Sequence, residues 1–135
     1  MNEIKINVSV DGFFVGFIAG IIAMALLFAF NPVKVNAAEL DGVKVRCTVY
    51  LPTGNKTATG ITPYQGIIAA NVEHLNQECE LYTVNGDFIG VFVCEDTGGH
   101  KGLKNGTRID VYRDNYENYR KWVEKYGDYV MIKWR

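Results

Sequence analysis

Residues 95–112 read EDTGGHKGLKNGTRIDVY, and the organisation of the whole chain follows from this stretch. Asp96 closes an apolar run, IGVFVCED at 89–96. Four glycines follow, Gly98, Gly99, Gly102 and Gly106, and Asp110 then sits inside the next β-branched run, TRIDVY at 107–112. Glycines of this density mark a loop whose backbone takes unusual paths and lets other groups come close. Asp110 stands between Ile109 and Val111, so the two-residue period of a strand sends it to the face opposite both. Two carboxylates at neighbouring strand ends beside such a loop are expected to share a cleft. Desolvation or like-charge repulsion there raises one carboxyl toward the range of a general acid. The plainer alternative is that Asp96 binds loop amides and that Asp110 pairs with Arg108 or Lys101.

Outward from that stretch the chain reads as strands. VKVRCTVYL at 43–51 is β-branched and aromatic, and the turn-rich PTGNKTATG follows it. GIIAA at 66–70 is a short apolar run that suits a buried strand. ELYTV and IGVFVCED flank Asn85-Gly86-Asp87, a hairpin signal, and DYVMIKW at 128–134 ends the chain as a sixth strand. One helix is expected after Asp114 or Asn115, either of which can cap it. Tyr116, Tyr119, Trp122, Val123 and Tyr126 recur at helical spacing before a terminating Gly127. That aromatic stripe reads as core rather than as a sugar-stacking face. Six short strands with one late helix predict a mainly β fold, a small barrel with the helix packed on it.

The N-terminal part is different. Residues 13–30, FFVGFIAGIIAMALLFAF, carry no charge and would span roughly 27 Å as a helix, close to the thickness of a bilayer core. Asn31-Pro32 ends this helix. Val35-Asn36-Ala37 then places small residues as before a signal cleavage at Ala38. Residues 1–37 are therefore read as a signal peptide or a retained membrane anchor. Either way the domain at 43–135 is expected outside the cytoplasm, secreted or held at the cell membrane. Residues 38–135 carry 12 Lys and Arg against 13 Asp and Glu, with no basic run, so nucleic acid is not an expected partner. Cys47, Cys79 and Cys94 form no CxxC pair, and His74 and His100 are the two histidines, so no zinc site is expected. Three cysteines in an exported chain imply either one disulfide with a spare thiol or three buried apolar side chains. The first leaves a monomer or a disulfide-linked dimer.

EDTGG at 95–99, KG at 101–102 and RIDVY at 108–112 resemble the signature of the three-aspartate (3D) domain of bacterial cell-wall proteins. CTVYLPTGNKTATG resembles that family's opening strand and turn, and GIIAAN at 66–71 resembles the strand of its first aspartate. The resemblance runs from about Val43 to Trp134. It implies a six-stranded double-psi β-barrel related to membrane-bound lytic transglycosylase A. It implies an activity too, cleavage of the β-1,4 bond between N-acetylmuramic acid and N-acetylglucosamine in peptidoglycan, with no metal or other cofactor. Asp110 would be the single acid/base and Asp96 its supporting carboxylate. Thr48 and Tyr50 would contact substrate, Thr97 and Gly98 would line the cleft, and Asn71 and Lys101 complete the substrate-binding set. Asn71 stands where the family has its first aspartate, and Asn cannot ionise. The loop HKGLKNG is longer than the family's, and VEHLNQEC replaces a proline-rich turn. A barrel that binds glycan without cutting it is the alternative the same residues allow.

Overall fold

The computed structural model describes residues 40–135, so the expected hydrophobic helix at 13–30 and the cleavage site before Ala38 lie outside the described residues. Six strands form in chain order: β1 (Val43–Tyr50), β2 (Ile67–Ala69), β3 (Glu78–Thr83), β4 (Phe88–Asp96), β5 (Arg108–Tyr112) and β6 (Tyr129–Trp134). They close into a barrel in the order β1-β5-β2-β4-β3-β6, and β6 pairs back to β1. Closure leaves no long strand edge unpaired. Two pairings are parallel, β1 with β5 and β2 with β4, and the other four are antiparallel. Parallel neighbours need long connections, and here neither parallel pair is consecutive in the chain.

Alternation along the strands explains the closure. Val45 and Cys47 of β1, Leu81 of β3, Cys94 of β4, Ile109 and Val111 of β5, and Val130 and Ile132 of β6 point inward and are buried. Lys44 and Arg46 lie between the first of these and are exposed. In β2 all three residues are buried, as its position between β5 and β4 requires. The hairpin forms as its turn residues predict, with Thr83 N–H donating to Asp87 O at 2.8 Å.

Two helices accompany the barrel. α1 (Lys101–Lys104) is a single turn inside the glycine loop, where the sequence had suggested only loop. His100 caps it, its Nδ1 accepting from Gly102 N–H at 3.0 Å, and Leu103 anchors it with 2% exposure. α2 (Tyr116–Tyr126) is the expected helix. The Asn115 side chain accepts from Asn118 N–H at 2.8 Å, and Gly127 ends the helix at φ +69°.

The aromatic stripe of α2 is core in part: Trp122 and Tyr126 join it, and Tyr116 does not. Trp122 is buried and meets Phe92 edge-on at 5.9 Å, but Tyr116 is 65% exposed and only stacks on Tyr119 at 5.4 Å. Tyr126, partly buried, packs against the core beside Trp122 with ring centroids 4.5 Å apart, so the helix meets the barrel through its middle and C-terminal turns and not through its first turn. A single turn of 3-10 helix (Val72–His74) follows β2. Among the described residues no helix is long and apolar enough to cross a membrane.

The cysteines follow the second of their two readings. All three are free and buried. Cys79 faces Phe92 across β3 and β4, so Cys94 lies diagonal to it, about 7–8 Å away between backbones, at the outer limit for a disulfide. Burial pushes the thiols up, Cys47 and Cys79 to about 12 and Cys94 to about 11. With no exposure at all, Cys79 cannot reach a second molecule while the barrel is folded.

Candidate functional site

The register of the barrel brings the two aspartates to one place. Ala69 of β2 is paired with Asp96 of β4 on one side and with Asp110 of β5 on the other. The carboxylates therefore rise from backbones two strand spacings apart, about 9–10 Å, with a methyl group between them. A cleft of about 220 Å³ opens above, lined by Asp96, Asp110, Tyr50, Thr97, Gly98 and Ala69 among others.

Each carboxylate is held by named donors. Asp96 Oδ1 accepts from Thr97 N–H at 2.9 Å and from Ala58 N–H at 3.0 Å, across from the PTGNKTATG turn. That turn is tied to the end of β4 a second time, where Thr59 Oγ1 donates to Glu95 Oε2 at 2.5 Å. Asp110 is 9% exposed. Arg108 reaches it from the same face of β5, Nε donating to Oδ1 at 2.6 Å and Nη2 to Oδ2 at 3.1 Å. Thr48, its register partner on the parallel strand β1, donates its hydroxyl to Oδ1. The plainer reading of the carboxylates thus holds in its contacts: Asp96 binds loop amides and Asp110 pairs with Arg108. The cleft reading holds in its placement, since the two line one cavity.

Tyr50 lies beside them. Its hydroxyl oxygen is buried and finds no partner at hydrogen-bonding geometry among the described residues. Burial pushes its phenol up from the usual value, and the neighbouring Asp96 carboxylate adds to the rise. The ring meets Tyr112 edge-on at 5.3 Å, which fixes one wall.

The glycines of the loop turn out to serve close packing. A methyl group at Gly98 would stand 2.5 Å from Leu103 Cδ1, and one at Gly102 would stand 2.9 Å from Arg108 Cβ. Gly98 lets α1 fold down over the cleft wall, and Gly102 lets it approach the start of β5.

Of the other expected positions, Thr97 and Gly98 line the cleft. Thr48 acts on it through Asp110. Asn71 lies in an adjoining depression of about 280 Å³ that shares Thr97 and Gly98 with the cleft and adds Val72 and Lys104. Its amide donates to Lys104 O at 2.9 Å and its oxygen accepts from Glu73 N–H, so it fastens the loop. Lys101 is exposed on α1 and lines neither space. Sequence reasoning did not assign Leu51, Thr53, Asn55, Lys56 and Pro63, which form the outer wall. Their one signal was the turn-rich composition after β1. Among the described residues no group of His, Cys, Asp and Glu is gathered as for a metal ion.

Comparison with known proteins returned no matching family model and no matching curated sequence.

Proposed function

We propose that this protein is a peptidoglycan-cleaving enzyme of the lytic-transglycosylase type, built on a three-aspartate-type double-psi barrel and working outside the cytoplasm. The observation that carries the reading is the pairing of Ala69 with both Asp96 and Asp110, which places two carboxylates around one small residue in a single cleft. The likeness of EDTGG and RIDVY to the three-aspartate signature supports it. The cleft and its neighbour are each smaller than the ~300–1,000 Å³ of a typical ligand pocket but share Thr97 and Gly98, as suits an extended ligand.

In this reading Asp110, protonated, gives its proton to the glycosidic oxygen as the bond from the muramic acid anomeric carbon breaks. The muramic acid 6-hydroxyl attacks that carbon and returns its own proton to Asp110, closing a 1,6-anhydro ring. Thr48 orients the carboxyl. Arg108 must swing off Asp110 while the acid is protonated and rejoins it when the carboxylate forms. Asp96 and Tyr50 bind sugar hydroxyls.

A second reading, a barrel that binds glycan without turnover, is favoured by one observation: both oxygens of Asp110 are already occupied by Arg108 and Thr48. Digestion of sacculi with the full chain in mild detergent separates the two, with Asp110→Asn alongside. Products ending in 1,6-anhydro-muramic acid, lost in the variant, are expected. Reducing-end products would make it a hydrolase. Sacculus binding with no products from either protein would establish the binding barrel, and neither binding nor products would remove glycan from the account.

A further inference from the structure

A second depression, of about 160 Å³, is lined in part by residues close in sequence to those of the cleft. Its charged lining is entirely basic: Arg113, Lys121 and Lys125, with Gln65 and Asn118 as polar groups and Trp122 beneath. The two spaces draw on the same two segments. Tyr112 lines the cleft and Arg113 the depression; Pro63 lines the cleft and Gln65 the depression.

Arg113 is the centre of it. The guanidinium lies 4.1 Å from the Trp122 ring centroid, and Nη1 donates to Tyr112 O at 2.6 Å. It is half-buried yet forms no ion pair among the described residues, and neither does Lys125. Burial pulls the Arg113 pKa down from its ordinary value, and the Asp114 carboxylate offsets only part of that pull. Of the acidic groups nearby, Asp114 acts on Arg113 at a distance but accepts only from the Asn118 amide, at 2.8 Å, and lines no part of the depression, while Glu117 pairs with Lys121 at 2.6 Å in an exposed, weak contact. A half-buried guanidinium with free donors, flanked by two ammonium groups, fits one small anion held by a planar fork.

We propose that this basic depression takes the free carboxylate of a peptide carried by the same glycan whose sugars occupy the Asp96–Asp110 cleft. The inference rests on the glycan reading of that cleft and goes further, because it names the peptide-bearing strand as the ligand. Muramic acid bears its peptide on the lactyl group, so a carboxylate is tethered to the sugars that the cleft would hold. Tethering makes its capture intramolecular. A free phosphodiester polymer has no such tether, and residues 38–135, with 12 basic against 13 acidic groups, offer it no extended basic track.

The test is a titration of the full chain in mild detergent with three forms of the disaccharide N-acetylglucosaminyl-β-1,4-N-acetylmuramic acid, which lacks the scissile bond. One form carries its peptide with free carboxylates, one carries the amidated peptide, and one carries no peptide, its lactyl carboxyl held as the amide. The free-carboxylate form is expected to bind about tenfold tighter than the other two. Half-molar salt should shrink that preference. Arg113→Gln should abolish it and Lys125→Gln, at an exposed position, should reduce it several-fold, both leaving the peptide-free form unchanged. Equal binding of all three forms, or a preference that survives both substitutions, overturns the proposal. Binding of the free-carboxylate form alone, lost in Arg113→Gln, keeps the basic site and removes the sugar reading. If nothing binds, both fall. Arg113-dependent binding of a polyglycerol phosphate probe without the carboxylate preference gives the site to a phosphodiester instead.

Discussion

Asp96 and Asp110, fourteen positions apart in the chain, flank one residue, Ala69, which is the register partner of both. The smallness of that residue keeps the space between the carboxylates open. Ala69→Leu should fill it from the floor. Sacculus co-sedimentation of the full chain is expected to fall at least tenfold, because overpacking costs about 1–3 kcal/mol even where some adjustment is available. Undiminished binding would mean that no ligand passes between the two aspartates.

Asp110 depends on Thr48 as well as Arg108. Removing the hydroxyl in Thr48→Val leaves a nearly buried carboxylate short of a donor. The expected loss is about 1–3 kcal/mol in urea unfolding. A change below half a kilocalorie, on the order of ordinary surface substitutions, would show that Arg108 alone suffices.

Gly98 and Gly102 are required by packing, and that is separable from any contact with ligand. Gly98→Ala drives a methyl into Leu103, and Gly102→Ala drives one into the Cβ of Arg108. Each is expected to cost roughly 1–3 kcal/mol. Leu103→Ala should partly relieve Gly98→Ala and leave Gly102→Ala unrelieved, a coupling read from a double-mutant cycle. Strict additivity of the first pair would contradict the contact.

The three thiols carry a pH dependence whose sign is fixed by burial. Each folded value lies above the unfolded thiol at about 8.5. Between that value and 11–12 the folded protein holds more protons than the unfolded chain, so stability falls as pH rises. The contribution is complete below about pH 8 and is lost through the alkaline range. The melting temperature should be flat from pH 6 to 8 and then decline. The same burial predicts that a thiol reagent at pH 8 labels none of the cysteines in the native protein and all three in denaturant. Rapid labelling of native protein would refute it.

Local chemistry was enough to find every strand. Val45 and Cys47 alternate with Lys44 and Arg46, the other strands are short β-branched or aromatic runs, and turn residues punctuate them, so pattern and position agreed. Asn115 and Gly127 announced the ends of α2. The pattern did not reveal α1, because a four-residue helix is too short to show a period and its cap is a histidine. Nor did it show that Tyr116 is exposed while Trp122 is buried, since helical spacing defines a face and not how much of it meets the barrel.

The sequence by itself determined the strands, the late helix, and the two aspartates at the ends of strands, because these depend on residues within a few positions of one another. The Asp110–Arg108 pair and the Thr97 amide on Asp96 are local as well, and the tertiary structure decided the distant partners of those aspartates. Which strand lies beside which is set by closing the barrel, and closure put Ala69 between Asp96 and Asp110, Thr48 across from Asp110, and the amide of Ala58 on Asp96. It also set Cys79 and Cys94 on a diagonal instead of face to face, and left Arg113 half-buried with no ion pair among the described residues. Register across a barrel is a property of all six strands at once, and no single stretch of sequence carries it.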